Sequence, residues 1–106
     1  MASRNPLSVI LDQNKLTGPN YSDWLRNLKI VLVSKKITYT LDKASPKEAP
    51  VNATPDEMEK LEKWSDHNLQ ARCYMLASMS NELQRRFEET VEAKDIHIRL
   101  QELYGA

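Results

Sequence analysis

The sequence of 106 residues has little of what common catalytic and metal sites are built from. Gly18 and Gly105 are its 2 glycines, so it has no glycine-rich loop to cradle phosphate. Its 1 cysteine, Cys73, excludes an intrachain disulfide and a zinc site made of several cysteines. The longest apolar runs, at 30–33 and 73–77, are far shorter than the roughly 20 residues that span a membrane.

Charge of neither sign dominates, since 15 Lys+Arg oppose 15 Asp+Glu. Residues 1–53 hold eight basic and four acidic side chains, a net charge of +4, and residues 54–106 hold seven and eleven, a net charge of −4. Such asymmetry favours contact between the basic half of one copy and the acidic half of another. The competing interpretation is that the two halves offset each other within one molecule.

No set of residues predicts catalysis or cofactor binding. His67 and Cys73 are six positions apart on one predicted helix and point to different faces, while His97 stands alone. A metal site needs three or four convergent ligands. A nucleophilic cysteine needs a nearby base and an electropositive pocket, and nothing local supplies them to Cys73, so we expect a small buried apolar residue there. We therefore predict a protein that is not an enzyme and has no cofactor.

The amino terminus has no apolar core of a secretory signal, and position 2 is alanine, which cannot be myristoylated. These features predict a cytoplasmic protein without a membrane partner.

The first part of the chain predicts one strong helix between less regular segments. Residues 1–19 read as an extended arm in which 7–11 could form a short strand or β-hairpin, closed by the turn-forming residues 16–20. Asn20 is a candidate N-cap for a helix over 20–36. Residues 37–41 are β-branched and aromatic and predict an extended segment, and 42–54 predict a mobile loop.

Three further helices follow. Thr54, Pro55 and Glu57 have the pattern of a capping box, which opens a long helix to about residue 79. Ser80 precedes a short third helix, and a fourth begins after Thr90 and stops at Gly105. The predicted fold is all-α, a small irregular four-helix bundle formed by residues 20–106 behind the arm 1–19.

Apolar residues that recur every three or four positions predict the core. This candidate core comprises Trp24, Leu28, Val31, Leu32, Leu61, Trp64, Met75, Leu76, Leu83, Phe87, Ile96, Leu100 and Leu103. The first helix also carries Ile30 and Val33 on its opposite side, so its second half is apolar nearly all round. Either the arm covers this second face or another protein does.

Basic residues raise the question of nucleic-acid binding. Arg26, Lys29, Lys35 and Lys36 lie on or near the first helix, and Arg85 with Arg86 form a second cluster. Trp24 and Trp64 fall on apolar stripes, where core packing explains them better than base stacking. A solvated basic face is thus favoured over a track for phosphates.

Four ordered strings carry a resemblance to a known family. They are LTGPNYSDWLRNLKIVLV at 16–33, ITYTLD at 37–42, ARCYMLASMSNELQ at 71–84 and LQELYG at 100–105. Together they closely resemble the opening of plant copia-type LTR retrotransposon Gag polyproteins, over roughly residues 7–105.

The resemblance implies an all-helical capsid lobe that associates with other Gag copies into cytoplasmic virus-like particles packaging the element's RNA. Such Gag chains usually continue into a second helical lobe and a zinc knuckle that grips RNA, so this chain corresponds to the N-terminal lobe and RNA binding is expected downstream. Candidate self-association residues are Arg26, Lys29, Ile30, Val33, Arg85 and Arg86. The alternative is a domesticated Gag-derived adaptor that binds a peptide in a groove between helices.

Overall fold

A computed structural model describes residues 6–43 and 54–105, with side chains from residue 9 onward. Five α-helices lie in these ranges: α1 (Pro6–Gln13), α2 (Tyr21–Ser34), α3 (Pro55–Ala77), α4 (Asn81–Phe87) and α5 (Ala93–Tyr104). A 3₁₀ turn at Thr38–Leu41 follows α2. The described chain contains no strand, only one bridge between Leu16 and Met79. The all-α prediction is confirmed, and the four predicted helices correspond to α2 to α5.

The extended arm and its β-hairpin were wrong where the structure describes them, because Pro6–Gln13 is helical. Proline fits the first turn of a helix, because an N–H group there would have no hydrogen-bond partner within the helix. A five-residue apolar run does not distinguish strand from helix, and here packing decides: α1 lies against α2 and buries Leu11. Residues 1–5 of the predicted arm lie outside the described residues.

The predicted extended segment 37–41 was also wrong. The end of α2 turns back on itself: the Ile37 amide donates to the Leu32 carbonyl (2.9 Å) and the Lys36 amide to the Val33 carbonyl (2.9 Å). This closure needs a left-handed residue, and Lys36 adopts it with φ +61°. Ile37 and Leu41 are then buried by the 3₁₀ turn. Of the predicted loop 42–54, residues 44–53 lie outside the described part of the chain.

Local capping follows the sequence at α3 and α4 and departs from it at α2. The Thr54 hydroxyl accepts from the Glu57 amide (3.2 Å), and the Ser80 hydroxyl accepts from the Leu83 amide (3.4 Å). Asn20 makes no side-chain cap. Its amide group instead accepts from the Thr17 amide (2.9 Å) and donates to the Lys15 carbonyl (2.8 Å), which closes the turn before the helix.

Most of the predicted core is buried. The buried members are Trp24, Leu28, Val31, Leu32, Met75, Leu83, Phe87, Ile96 and Leu100. Leu61, Trp64 and Leu76 are half-buried. Leu103 is 43% exposed and does not belong to the core. Tyr104 takes the inward position beside it and packs on Tyr21, with ring centroids 6.1 Å apart.

A hydrogen-bonded junction joins the amino-terminal part of the chain to the turn between α3 and α4. The indole nitrogen of Trp24 donates to the Ser78 hydroxyl (3.0 Å), which itself donates to the Tyr74 carbonyl (2.7 Å). The Leu16 amide donates to the Ser78 carbonyl (2.8 Å), and the Ser80 amide donates to the Leu16 carbonyl (2.8 Å). Every polar group in this junction is therefore paired where burial would otherwise be costly.

A second buried junction positions α5 on α3. The side-chain amide of Asn68 donates to the Val91 carbonyl (2.9 Å) and accepts from the Ala93 amide (2.8 Å). A side chain of α3 thereby pairs with the Ala93 amide in the first turn of α5. That helix has no side-chain cap from its own N-cap residue.

Replacing Asn68 with alanine removes both bonds and leaves the buried Ala93 amide unpaired, so we expect a loss of about 2–3 kcal/mol in the free energy of unfolding. Urea denaturation followed by circular dichroism measures it. Gln70→Ala is the matched control, because Gln70 bonds only the exposed Asp66 (2.9 Å) and should change stability by no more than about 0.5 kcal/mol. Equal losses in the two variants would contradict this role for Asn68.

Candidate interaction surfaces

Four of the six predicted self-association residues lie on one outward face of α2. Arg26, Lys29, Ile30 and Val33 follow one another at helical spacing, and all four are exposed. Ile30 is 46% and Val33 61% exposed, while the opposite face of the helix is buried in the core. We call these four residues the α2 stripe.

Helix α1 does not bury the apolar residues of the α2 stripe. Helix α1, which the sequence left as a candidate cover, does pack against α2. Ile30 and Val33 nevertheless remain exposed to solvent. Among the residues whose side chains the structure describes, none covers them.

The ion pair that Arg26 of the α2 stripe forms is exposed and weak. Arg26 pairs with Asp23 at 3.1 Å, but the two side chains are 69% and 71% exposed. Exposed pairs of this kind contribute less than about 1 kcal/mol. The guanidinium can exchange Asp23 for another carboxylate at little cost.

Arg85 and Arg86 do not belong to this stripe. They lie in the last turn of α4, where cations suit the helix dipole, and both are exposed. Helix α4 packs on α3. Arg86 borders a small cavity of about 290 Å³ together with Phe87, Asp95 and Arg99.

An apolar groove lies beside α1 and α3. It has a volume of about 450 Å³, and its apolar lining comes chiefly from Leu11, Leu69, Cys73, Tyr74 and Ala77. Cys73 is exposed here, contrary to the buried position expected from the sequence. The reason is helical phase: Ala71 and Met75 face the core, and a residue midway between them points outward.

A second groove, of about 750 Å³, is strongly basic. It lies where the end of α2, the 3₁₀ turn and the first half of α3 meet, and we call it the basic groove. Its lining residues are Lys35, Lys36, Tyr39, Lys43, Lys60, Lys63, Trp64 and His67.

Sequence reasoning missed the basic groove, although one signal for it was present. Lys60, Lys63, Trp64 and His67 follow helical spacing, so they share one face of α3. Assigning Trp64 to the core hid this pattern. The other lysines come from before residue 44, and only the tertiary fold brings the two groups together.

His97 lies on α5 near the α2 stripe. Its Nδ1 atom is buried and has no hydrogen-bond partner among the described residues. Burial lowers the pKa of the His97 imidazole, and the positive charge of Lys29 lowers it further, against a smaller opposing effect of Asp42. The folded protein thus favours neutral His97.

Because the pKa of His97 is lower in the folded state, the unfolded chain binds more protons as the pH falls. We expect its contribution to stability to be complete above about pH 6.5 and to be lost as the pH falls through the folded pKa. The midpoint of urea unfolding, measured at several values between about pH 8 and pH 5.5, gives the dependence of stability on pH. His97→Gln should flatten this pH dependence, whereas the control Gln70→Ala, which removes no titrating group, should not. A slope unchanged in His97→Gln would refute the assignment.

Comparison of the chain with models of known families, with curated proteins and with solved structures finds no match. Within residues 6–43 and 54–105, no three His, Cys, Asp or Glu side chains are grouped as a metal site requires. No helix in those ranges is both long enough and apolar enough to cross a membrane.

Proposed function

We propose that the chain is the N-terminal capsid lobe of a plant copia-type retrotransposon Gag, and that it acts by associating with copies of itself. The resemblance of four ordered strings to this family supports the assignment, and the all-helical fold agrees with it. The observation that carries self-association is the α2 stripe, in which the exposed Ile30 and Val33 lie on the same helix face as the cations Arg26 and Lys29.

The stripe has the composition of a weak, repeated contact. Complete burial of an isoleucine or valine side chain contributes about 1.5–3 kcal/mol, and these two are already partly covered. Association of two molecules costs about 4–15 kcal/mol in lost freedom of motion. A single contact through the stripe is therefore weak, and a shell becomes stable because each subunit makes several contacts at once.

Charge gives such contacts direction. The stripe belongs to the half of the chain with net charge +4, and residues 54–106 carry −4. Arg26 and Lys29 would meet carboxylates of a neighbouring copy, which favours a head-to-tail arrangement over a symmetric pairing of two stripes. Arg85 and Arg86 would serve a different contact, because they lie on α4.

Self-association is tested with the double variant Ile30→Asp and Val33→Asp. The change replaces two apolar contacts by hydrated carboxylates and offsets the charges of Arg26 and Lys29, so it should weaken association by more than about 100-fold. Sedimentation velocity over a range of concentrations and electron microscopy of particles measure it, in this chain and in one extended downstream. Circular dichroism should stay helical, because both side chains are exposed.

Val91→Asp is the matched control, since Val91 is 72% exposed and lies between α4 and α5. It should associate as the unaltered chain does. Equal association of all three proteins would contradict a contact through the stripe, and loss of helicity in the double variant would show that Ile30 and Val33 support the fold.

A second candidate function rests on the apolar groove beside α1 and α3. A Gag-derived adaptor would bind the apolar side chains of a partner peptide there. Leu69 is 53% exposed at this groove, so Leu69→Asp should abolish capture of such a peptide and leave self-association unchanged. The α2 stripe variant should have the opposite effects.

A further inference from the structure

The basic groove contains no residue of the α2 stripe that we propose for self-association, and it concentrates positive charge in a chain whose net charge is zero. Lys35 and Lys36 follow α2, Lys43 follows the 3₁₀ turn, and Lys60 and Lys63 lie on α3. All five line one cavity. A local field of this kind attracts anions whatever the charge of the whole molecule.

Within the described part of the chain, no acidic side chain neutralises the lysines of the groove. No carboxylate lines the cavity, and none of the five lysines forms an ion pair within residues 6–43 and 54–105. Acidic residues neighbour them in the sequence of α3, at Glu59 and Glu62, but these side chains do not line the cavity. As far as the described residues define the groove, its positive charge is unbalanced and would attract an anion.

Lys36 lies at a position where the backbone favours glycine. Its φ of +61° is left-handed, a conformation that carries an energetic cost for any residue with a Cβ atom. The fold thus tolerates unfavourable backbone geometry at a residue that lines the groove.

Aromatic rings lie among the lysines. The Tyr39 hydroxyl and the His67 Nδ1 atom share a hydrogen bond of 2.6 Å, and the two rings meet edge to face with centroids 5.6 Å apart. These two contacts orient the Tyr39 and His67 rings relative to each other. Trp64 is half-buried and borders the same cavity, and its indole nitrogen has no partner among the described residues.

We propose that the basic groove binds single-stranded nucleic acid, with lysines on the phosphates and the rings of Tyr39 and Trp64 against the bases. Proteins that hold single strands without reading sequence combine these two features. A peptide of aspartate and glutamate would meet the lysines but would offer no ring to stack against Tyr39 and Trp64. The cavity of about 750 Å³ extends beyond a single phosphate site and suits a short stretch of chain.

The experiment uses a fluorescently labelled 12-nucleotide RNA and the full chain, with binding followed by anisotropy at several salt concentrations. If each lysine meets a phosphate, the logarithm of the binding constant should fall against the logarithm of salt with a slope of up to about 3.5. Lys60→Gln with Lys63→Gln should weaken binding about tenfold and lower the slope by about 1.4.

The matched control is Lys15→Gln with Lys94→Gln, which removes the same charge from residues that do not line the groove. It should bind as the unaltered chain does. Equal weakening in the two double variants would overturn the proposal, because attraction would then come from the surface as a whole.

Two further measurements separate nucleic acid from other anions. Trp24 is buried and Trp64 borders the groove, so RNA should quench tryptophan fluorescence in the unaltered chain and not in Trp64→Phe. Inorganic polyphosphate or polyglutamate that binds as tightly as the RNA would overturn the proposal, since the rings would then contribute nothing. Replacing RNA by DNA of the same length should leave binding within a fewfold.

Lys36→Gly distinguishes binding from folding, because glycine fits the left-handed backbone. The urea midpoint should be unchanged or higher while RNA binding weakens; unchanged binding would exclude Lys36 from the site. The Ile30→Asp, Val33→Asp variant should bind RNA normally, so the proposal stands or fails independently of self-association.

Discussion

The hydrogen bond from the Trp24 indole to the Ser78 hydroxyl is the interaction on which the arrangement of helices depends. It lies in the buried interior, where an unpaired donor would be costly, and it joins residues 54 positions apart in the chain. Around it, the paired amides and carbonyls of Leu16, Ser78 and Ser80 connect the segment before α2 to the turn after α3. Burial of the surrounding apolar side chains drives the core to close, and the pairing of these polar groups removes the penalty that burial would otherwise impose on them.

This geometry limits what α2 can bury. The face that carries Trp24 and Leu28 is directed inward by the junction, so the opposite face must point to solvent. A domain of about 100 residues has too little material to cover both sides of such a helix. Ile30 and Val33 lie on this outward face, where none of the described residues buries them, and the proposed contact between copies uses this apolar surface.

The basic groove lies on other parts of the same scaffold. Its aromatic and basic residues belong to the end of α2, the 3₁₀ turn and α3, while the stripe occupies the middle of α2. A lobe that touches its neighbours through one surface and a nucleic acid through another would couple assembly to the cargo. In that arrangement, RNA binding by the groove would supplement the RNA binding that the resemblance to Gag implies for a downstream region.

Local chemistry in the sequence was enough to predict the all-α class, the opening of α3 at Thr54, and the inward faces of α2 and α5. These depend on helical spacing and capping, which act over a few residues. Tertiary packing alone decided that Pro6–Gln13 is a helix and that Lys36 is left-handed. It also decided that Tyr104, and not Leu103, packs inward at the end of α5. It also brought Lys35 near Lys63. Such outcomes depend on which distant surface each residue meets, and spacing along the chain does not contain that information.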